Sequence, residues 1–289
     1  MTAAPRLQPA AIEAAFLAAC SAELASLKPG NVHVHAAGHR MDTAMFEASA
    51  AAAAPHIADH TQRVGTRIER ATAASIAASG CNTNLGIVLL CAPLAAAAER
   101  GDGPLRVSLD TVLDELDISD ARAAYRAING ANPAGLGSVK AADVANIPGI
   151  TLLQAMTLAR SHDRIANAYA TDFADIFDFA LPALTTARLS AATPELAITT
   201  LHLCLLDQFP DTHIARKFGP DAAAAVQLEA HQLRALYRPA ASAETFSALL
   251  AFDAGLKARG LNPGTTADFV VATLFADLLL HANRDAKSV

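Results

Sequence analysis

The chain has 289 residues, enough for one large or two small domains; 53% of them are hydrophobic and only 17% are charged. Its net charge of −6 argues against a general nucleic-acid binder, which would carry a basic stripe. No apolar run reaches the roughly 20 residues of a bilayer span. The first residues lack a basic segment followed by an apolar one, so no secretory signal is visible. We therefore expect a cytoplasmic protein that binds neither nucleic acid nor membrane.

Helical periodicity recurs along the whole chain, and no segment shows the alternation of a strand. Abundant alanine favours close helix packing. We predict an all-α fold, a single compact domain over residues 1–289 with about a dozen helices. The predicted helices are Ala10–Leu27, one from Asp42 or Thr43 through the alanine block, Gln62–Ser79, Leu85–Arg100, Leu109–Leu116, Asp120–Ile128, one opened by the capping box Thr151-x-x-Gln154, Thr171–Arg188, Pro194–Gln208, Pro220–Leu236, Ala243–Arg259 and Thr266–Asn283.

The first helix stops at Pro29-Gly30, and the loop after it is rich in charged and ionisable side chains. A helix connector needs Pro, Gly and Asn, but it does not need the lysine, histidines, arginine and aspartate that this loop also carries. A solvated loop with incidental histidines is the structural alternative. The set comprises Lys28, Asn31, His33, His35, His39, Arg40 and Asp42.

A second polar segment precedes the helix that starts at Leu85. It contains Asn82, Thr83 and Asn84, and Gly86 follows inside the helix. One asparagine or threonine would suffice as a cap. Three in a row, followed by a glycine that lets another group approach the backbone, favour an anion site at the helix N-terminus.

The third segment, Asp211-Thr212-His213 with Arg216 and Lys217, places acidic and basic groups within two helical turns. Asp211 or Thr212 could simply cap a short helix. Together with the cations, however, the carboxylate suits a magnesium–phosphate ligand.

The fourth segment is Asn262-Pro-Gly264, which precedes Thr265-x-x-Asp268. Thr265 and Asp268 are close to a capping box for the last helix. Asn262 and Gly264 need another explanation. If they lie beside Pro29-Gly30-Asn31 and Asn82-Thr83-Asn84, the three segments form a pocket rich in backbone amides, which suits a polyphosphate.

These motifs, with Glu23 five residues before Lys28 and with Asp42-x3-Phe46-x2-Ser49, resemble the triphosphoribosyl-dephospho-CoA synthase family in the same order. The resemblance implies an all-α fold and a transferase. It also implies the reaction: the 2′-hydroxyl of dephospho-CoA attacks the ribose C1 of ATP, which is the substrate, and adenine leaves. Mg²⁺ is the implied cofactor.

The resemblance also implies roles for residues of this chain. Catalytic candidates are Glu23, His39, Asp42 and His213, with His33 as a further candidate base. Candidates for binding substrate or phosphate are Lys28, Pro29, Gly30, Asn31, Ser49, Asn82, Thr83, Asn84, Gly86, Thr212, Arg216, Lys217, Asn262, Gly264 and Thr265. Candidate magnesium ligands are Asp42, Glu69, Asp211 and Asp268.

Two positions depart from the family pattern. Arg40 stands where the family has an acidic residue, and Asn84-Leu85 stands where it has His-Lys. A divergent member acting on another acceptor is therefore an alternative, for example in the synthesis of tetrahydromethanopterin- or methanofuran-type one-carbon cofactors. A non-catalytic nucleotide- or phosphate-binding protein and a ribosyl hydrolase remain open. The alanine face of residues 48–54 would suit a helix pair, either in the core or across a homodimer.

Overall fold

The computed structural model describes residues 6–34, 43–101, 103–131 and 149–285, which form helices joined by short loops and contain no β-strand. The predicted all-α class is confirmed. The helices are α1 (Pro9–Ala25), α2 (Thr43–Ile57), α3 (Val64–Ser79), α4 (Leu85–Arg100), α5 (Leu105–Asp114), α6 (Ile118–Ala131), α7 (Leu152–Ala159), α8 (Arg164–Ala170), a π-helical segment (Asp175–Ala180), α9 (Leu181–Ser190), α10 (Pro194–Gln208), α11 (Thr212–Phe218), α12 (Pro220–Leu236), α13 (Ala243–Ala258) and α14 (Gly264–Asp285).

Helix α14 runs through the centre of the fold and packs against α1, α4 and α10. Its Phe275 is fully buried and meets Phe16 of α1 edge to face, with ring centroids 5.9 Å apart. By length and composition Gly264–Ala282 could cross a membrane, but 72% of that stretch is buried inside the protein. An apolar helix in this position is a core helix.

Helices α1 and α4 run in opposite directions, since the N–H of Leu7 donates to the carbonyl of Ala98 (3.3 Å) at the start of α1 and the end of α4. The end of α1 and the start of α4 therefore lie at the same end of the bundle. The polar loops predicted to be functional follow α1 and precede α4, so antiparallel packing brings them to one side.

The alanine face of α2 is used inside the fold. Ala50, Ala53 and Ala54 are buried where α2 packs on α3. On the next face of α3, Gly65 approaches α6 so closely that a Cβ would lie 2.4 Å from the Cα of Asp120. Small residues thus set the spacing of α2, α3 and α6.

The helix predicted over Thr171–Arg188 is present but starts later than predicted. A turn over 171–173 precedes the π-helical segment, which continues directly into α9; α8, before the turn, was not predicted. The turn places Asp172 and Phe173 at φ values of +49° and +56°, which stop a right-handed helix. Phe173 is fully buried against Tyr169, and this tertiary contact holds the turn in place.

The contact of Gly65 with α6 gives a stability test. We expect Gly65→Ala to destabilise the protein by about 1–3 kcal/mol, because the backbone of Asp120 must move to admit the methyl group. Gly255→Ala is the control, since nothing lies within 4 Å of its Cβ position in α13. This control should be neutral or stabilising by up to about 1 kcal/mol. Urea unfolding monitored by circular dichroism measures both, and equal midpoints for the two variants would contradict the packing argument.

Candidate functional site

Lys28 is fully buried beneath the loop that follows α1. Its ammonium group donates to the carbonyls of Glu23 (2.7 Å) and Val32 (2.9 Å) and lies 3.2 Å from the Glu23 carboxylate. Burial lowers the pKa of Lys28 and raises that of Glu23, while the attraction between the two groups opposes both shifts. The predicted phosphate contact of Lys28 is therefore corrected: its donors close the loop, and Glu23 is its partner.

The tip of this loop docks on the segment that precedes α14. Asn31 Nδ2 donates to Asn262 Oδ1 (2.8 Å), and Gly30 N–H donates to Asp253 Oδ1 (2.8 Å). Gly30 has φ +83°, and a Cβ there would lie 2.7 Å from Pro263, so only glycine fits. Pro29-Gly30-Asn31 and Asn262-Pro263-Gly264, two of the three segments considered for one pocket, are therefore in contact.

A buried polar cluster behind the loop was not found from the sequence. Asp253 also accepts from Lys257 (2.9 Å) and lies 3.4 Å from His33 Nε2. Burial alone would raise the pKa of Asp253, but these hydrogen bonds hold it below its usual range. Burial lowers the pKa of His33, and lowers that of the fully enclosed His202 to about 3. His33 thus belongs to the support of the loop, since its ring faces Asp253.

The segment before α4 is tied to α2. Thr83 Oγ1 donates to Ser49 Oγ (2.6 Å), and Ser49 in turn donates to the Met45 carbonyl. Asn82 Oδ1 accepts the N–H of Leu85, so Asn82 caps α4. This is the role expected if the residue has only a structural function. Asn84 is buried, and its Nδ2 has no hydrogen-bond partner among the described residues. In this segment, the Nδ2 donor of Asn84 is therefore unpaired among the described residues. Ser49 of α2 anchors the segment through its hydrogen bond with Thr83.

Gly86 and Asp268 meet at the first turn of α4. A Cβ on Gly86 would lie 2.0 Å from Asp268 Oδ2, so the glycine makes room for the carboxylate. Within the described part of the chain, this carboxylate accepts no hydrogen bond, and Asp268 is partly exposed. Desolvation raises its pKa well above the usual range, and the charges of Asp211 and Glu23 add to that shift while Arg216 opposes it.

Asp211 is buried and caps two helices at once. One carboxylate oxygen accepts from the N–H of Ile214 (3.0 Å) in α11, and the other accepts from the N–H and the hydroxyl of Thr266 (both 2.8 Å) in α14. The predicted capping box of Thr265 with Asp268 is therefore wrong, because a residue from another helix caps α14. The metal role predicted for Asp211 stays a prediction, for a carboxylate whose two oxygens already accept three hydrogen bonds.

Helix α11 contributes the cationic side of the site. Arg216 is mostly buried and pairs with Asp163, while Lys217 is exposed on the same helix. The ring of His213 lies against Gly264, 3.4 Å from its Cβ position. Thr212 Oγ1 donates to Thr265 Oγ1 (3.2 Å). The structure thus brings Arg216, His213, Thr212, Gly264 and Thr265 together.

Other predicted ligands lie elsewhere. Glu69 is on α3 in a two-pronged pair with Arg126 (2.6 and 2.7 Å), so its predicted role as a magnesium ligand is corrected. His39 and Asp42 lie outside the described residues. In the described ranges, no group of three or more His, Cys, Asp or Glu is arranged to hold a metal ion. Among the described residues, Asp268 is the predicted metal ligand whose carboxylate accepts no hydrogen bond.

A cavity of about 510 Å³ lies at the opposite end of α1 and α4. Its arginines already face carboxylates: Arg67 is paired with Glu99 (2.6 Å) and Arg63 with Asp120 (2.6 Å). We do not assign the predicted chemistry to this cavity, because the motif residues line the other end of the bundle.

Sequence reasoning missed Asp163, which starts α8 and holds Arg216, as well as Asp253 and His202. The Asp163-Arg164 pair directly after a polar stretch is the signal that could have indicated a capped helix. For Asp253 and His202 there is no such signal, since both lie inside helices.

The double cap gives a second test. We expect Asp211→Ala to destabilise the protein by about 2–3 kcal/mol, because it leaves buried donors at the starts of α11 and α14 without acceptors. Thr151→Ala removes the single exposed capping box of α7 and should cost only about 1 kcal/mol. Urea unfolding compares them, and an equal cost for the two variants would argue against the bridging role of Asp211.

The raised pKa of Asp268 gives a third test. The native state favours the protonated carboxyl, so wild-type stability falls as pH rises above about 4, the pKa of an unfolded aspartate. We therefore expect Asp268→Asn to be more stable than wild type at pH 7, with a gain that vanishes below about pH 4. Urea midpoints between pH 3.5 and 8 measure this, with the exposed Glu47→Gln as control. A loss of stability at pH 7 would mean that the N-terminus of α4 outweighs desolvation.

Residues 9–287 match the family described as CitG, ATP:dephospho-CoA triphosphoribosyl transferase. Over 104 residues the chain is 36% identical to a protein of Pectobacterium carotovorum subsp. carotovorum (strain PC1) described as a 2-(5''-triphosphoribosyl)-3'-dephosphocoenzyme-A synthase. That match covers 36% of this chain and 33% of the relative, so the chain spans about a third of that protein's length.

The fold is similar to a solved structure from Archaeoglobus fulgidus described as a triphosphoribosyl-dephospho-CoA synthase. The TM-score is 0.61 over 81% of this chain and 98% of that chain, and the 21% identity carries the similarity of fold alone. Because the family model matches nearly the whole length, the chain belongs to the ATP:dephospho-CoA triphosphoribosyl transferase family.

Proposed function

We propose that this chain transfers the 5-triphosphoribosyl group of ATP to dephospho-CoA. The 2′-hydroxyl oxygen of the acceptor bonds to ribose C1, the bond between C1 and adenine breaks, and the hydroxyl proton passes to a base. Adenine leaves and takes up a proton. Membership of a family described by this transfer supports the reaction.

The observation that carries the proposal is the open carboxylate of Asp268 at the start of α4. It is partly exposed, lacks a hydrogen-bond partner among the described residues and has a raised pKa. Structural carboxylates in this protein, such as Asp211, are instead fully engaged. An unpaired carboxylate with a perturbed pKa, beside a helix N-terminus and an arginine, is typical of a functional site.

The triphosphate would bind where the start of α4 faces Arg216. The first-turn amides of a helix lack intrahelical acceptors; in α4 Asn82 caps the N–H of Leu85, and the side chain of Asn84 caps none. Amides and the helix dipole favour an anion there, and the free Nδ2 of Asn84 adds a donor. Arg216 would supply a charge-assisted contact to a phosphate.

The donor set fits a magnesium ion that arrives with ATP. Mg²⁺ commonly uses one or two carboxylates together with substrate phosphates and water. Asp268 would hold it, because its carboxylate accepts no hydrogen bond among the described residues, whereas Asp211 already accepts three. The ion would neutralise part of the triphosphate charge.

Departure of adenine builds positive charge on the ribose, which a nearby carboxylate stabilises. Asp268 is the group in the described site that could do this. His213, beside Gly264, is the candidate base for the acceptor hydroxyl.

The test is adenine release from ATP, followed by chromatography with and without magnesium and dephospho-CoA. We expect release only when both are present. We expect Arg216→Ala to lower the rate about tenfold or more, through loss of a charge-assisted phosphate contact. Arg122→Ala, at an exposed arginine of α6 that is not a candidate site residue, is the control and should retain the wild-type rate.

Other outcomes would select the alternatives. Adenine release without dephospho-CoA would indicate a hydrolase. Magnesium-dependent ATP binding without release would indicate a binding protein or a different acceptor. Neither binding nor release would contradict the nucleotide site.

A further inference from the structure

Asp163 uses its two carboxylate oxygens for different tasks. Oδ1 accepts the N–H groups of Ile165 (2.9 Å) and Ala166 (3.0 Å) and so caps α8. Oδ2 accepts from Arg216 Nη1. The residue therefore joins the start of α8 to the side chain of α11 that faces the candidate phosphate site.

Arg216 depends on this contact. Its Nε is buried and has no acceptor among the described residues, and Asp163 is the only carboxylate there that pairs with its guanidinium. The pair is mostly buried, with side-chain exposures of 16% for Arg216 and 23% for Asp163. A long side chain without its anchor would sample several rotamers, which weakens any contact that needs one geometry.

The start of α8 is itself fixed against the candidate site. Ile165 Cδ1 lies 2.8 Å from the Cβ position of Gly86, at the same turn of α4 that Asp268 contacts. The cap formed by Asp163 thus ties three features to one place: α8, the first turn of α4 and the guanidinium of Arg216.

We propose that Asp163 is a positioning residue that holds the guanidinium of Arg216 toward the phosphates of bound ATP. The inference rests on the proposed function, because it needs a nucleotide in this site. Asp163 does not touch the nucleotide and acts through Arg216. A capping residue alone would not need the second oxygen to face a cation.

The test separates the two tasks. In Asp163→Asn the amide oxygen can still cap α8, but its NH₂ cannot accept from Arg216. Asp163→Ser is a second variant, since serine is a good cap and is too short to reach the guanidinium. Glu99→Gln is the matched control, because Glu99 forms a comparable mostly buried pair with Arg67 at the other end of the bundle.

Isothermal titration calorimetry with MgATP measures binding, and circular dichroism checks the fold. We expect Asp163→Asn and Asp163→Ser to raise the Kd about tenfold, and Arg216→Ala to raise it at least as much. In an Arg216→Ala background, Asp163→Asn should cause no further loss, a result that a merely structural role would not produce. Glu99→Gln should keep the wild-type Kd.

The possible failures are distinguishable. If Arg216→Ala binds MgATP like wild type, the proposed phosphate site fails and the inference falls with it. If Arg216→Ala loses affinity while both Asp163 variants keep it, the site stands and the positioning role is overturned. Fully additive losses in the double variant would also overturn it.

Discussion

The carboxylate of Asp211 holds together the end of the bundle that carries the motifs. It bonds the first turns of α11 and α14, and its donor in α14, Thr266, lies 55 positions after Asp211 in the chain. A buried carboxylate is costly unless its oxygens are satisfied, and three hydrogen bonds from Ile214 and Thr266 satisfy them here. Arg216 lies on α11 and Asp268 lies on α14, so the distance between these two side chains depends on this shared cap.

The loop after α1 contains a second buried charged group, Lys28, whose burial is also compensated by hydrogen bonds. A lysine with no exposed surface needs a counter-charge and acceptors, and Glu23 and the neighbouring carbonyls supply both. The loop is also fixed from outside by Asp253 and Asn262. The sequence of this polar loop suggests ligand binding, but most of its polar groups form hydrogen bonds within the protein. These hydrogen bonds fix the geometry of the loop backbone.

Against this background of engaged polar groups, the few that are left open become informative. Asp268 lacks a partner in the described residues, and Asn84 Nδ2 and Arg216 Nε lack acceptors there. Groups that cost stability without a local benefit are expected where a ligand completes them. The cavity at the other end of the bundle differs in this respect, because its main charges form closed pairs.

The sequence by itself determined the all-α class and much of its segmentation. The boundaries of α4, α10 and α12 agree with the prediction because apolar periodicity, Pro and Gly act locally. The motifs also suggested that the loop after α1 could lie beside the segment before α14, as it does. Only the tertiary structure decided which polar side chains remain available to a ligand. Lys28, Asp211 and Glu69 were each candidate ligands in the sequence; in the structure Glu69 pairs with Arg126 and Asp211 with Thr266, each more than 50 positions away. The ammonium group of Lys28 donates its hydrogen bonds within its own loop, and only the burial of the side chain reveals this. Hydrogen-bond satisfaction depends on packing between distant elements, and no local pattern encodes it.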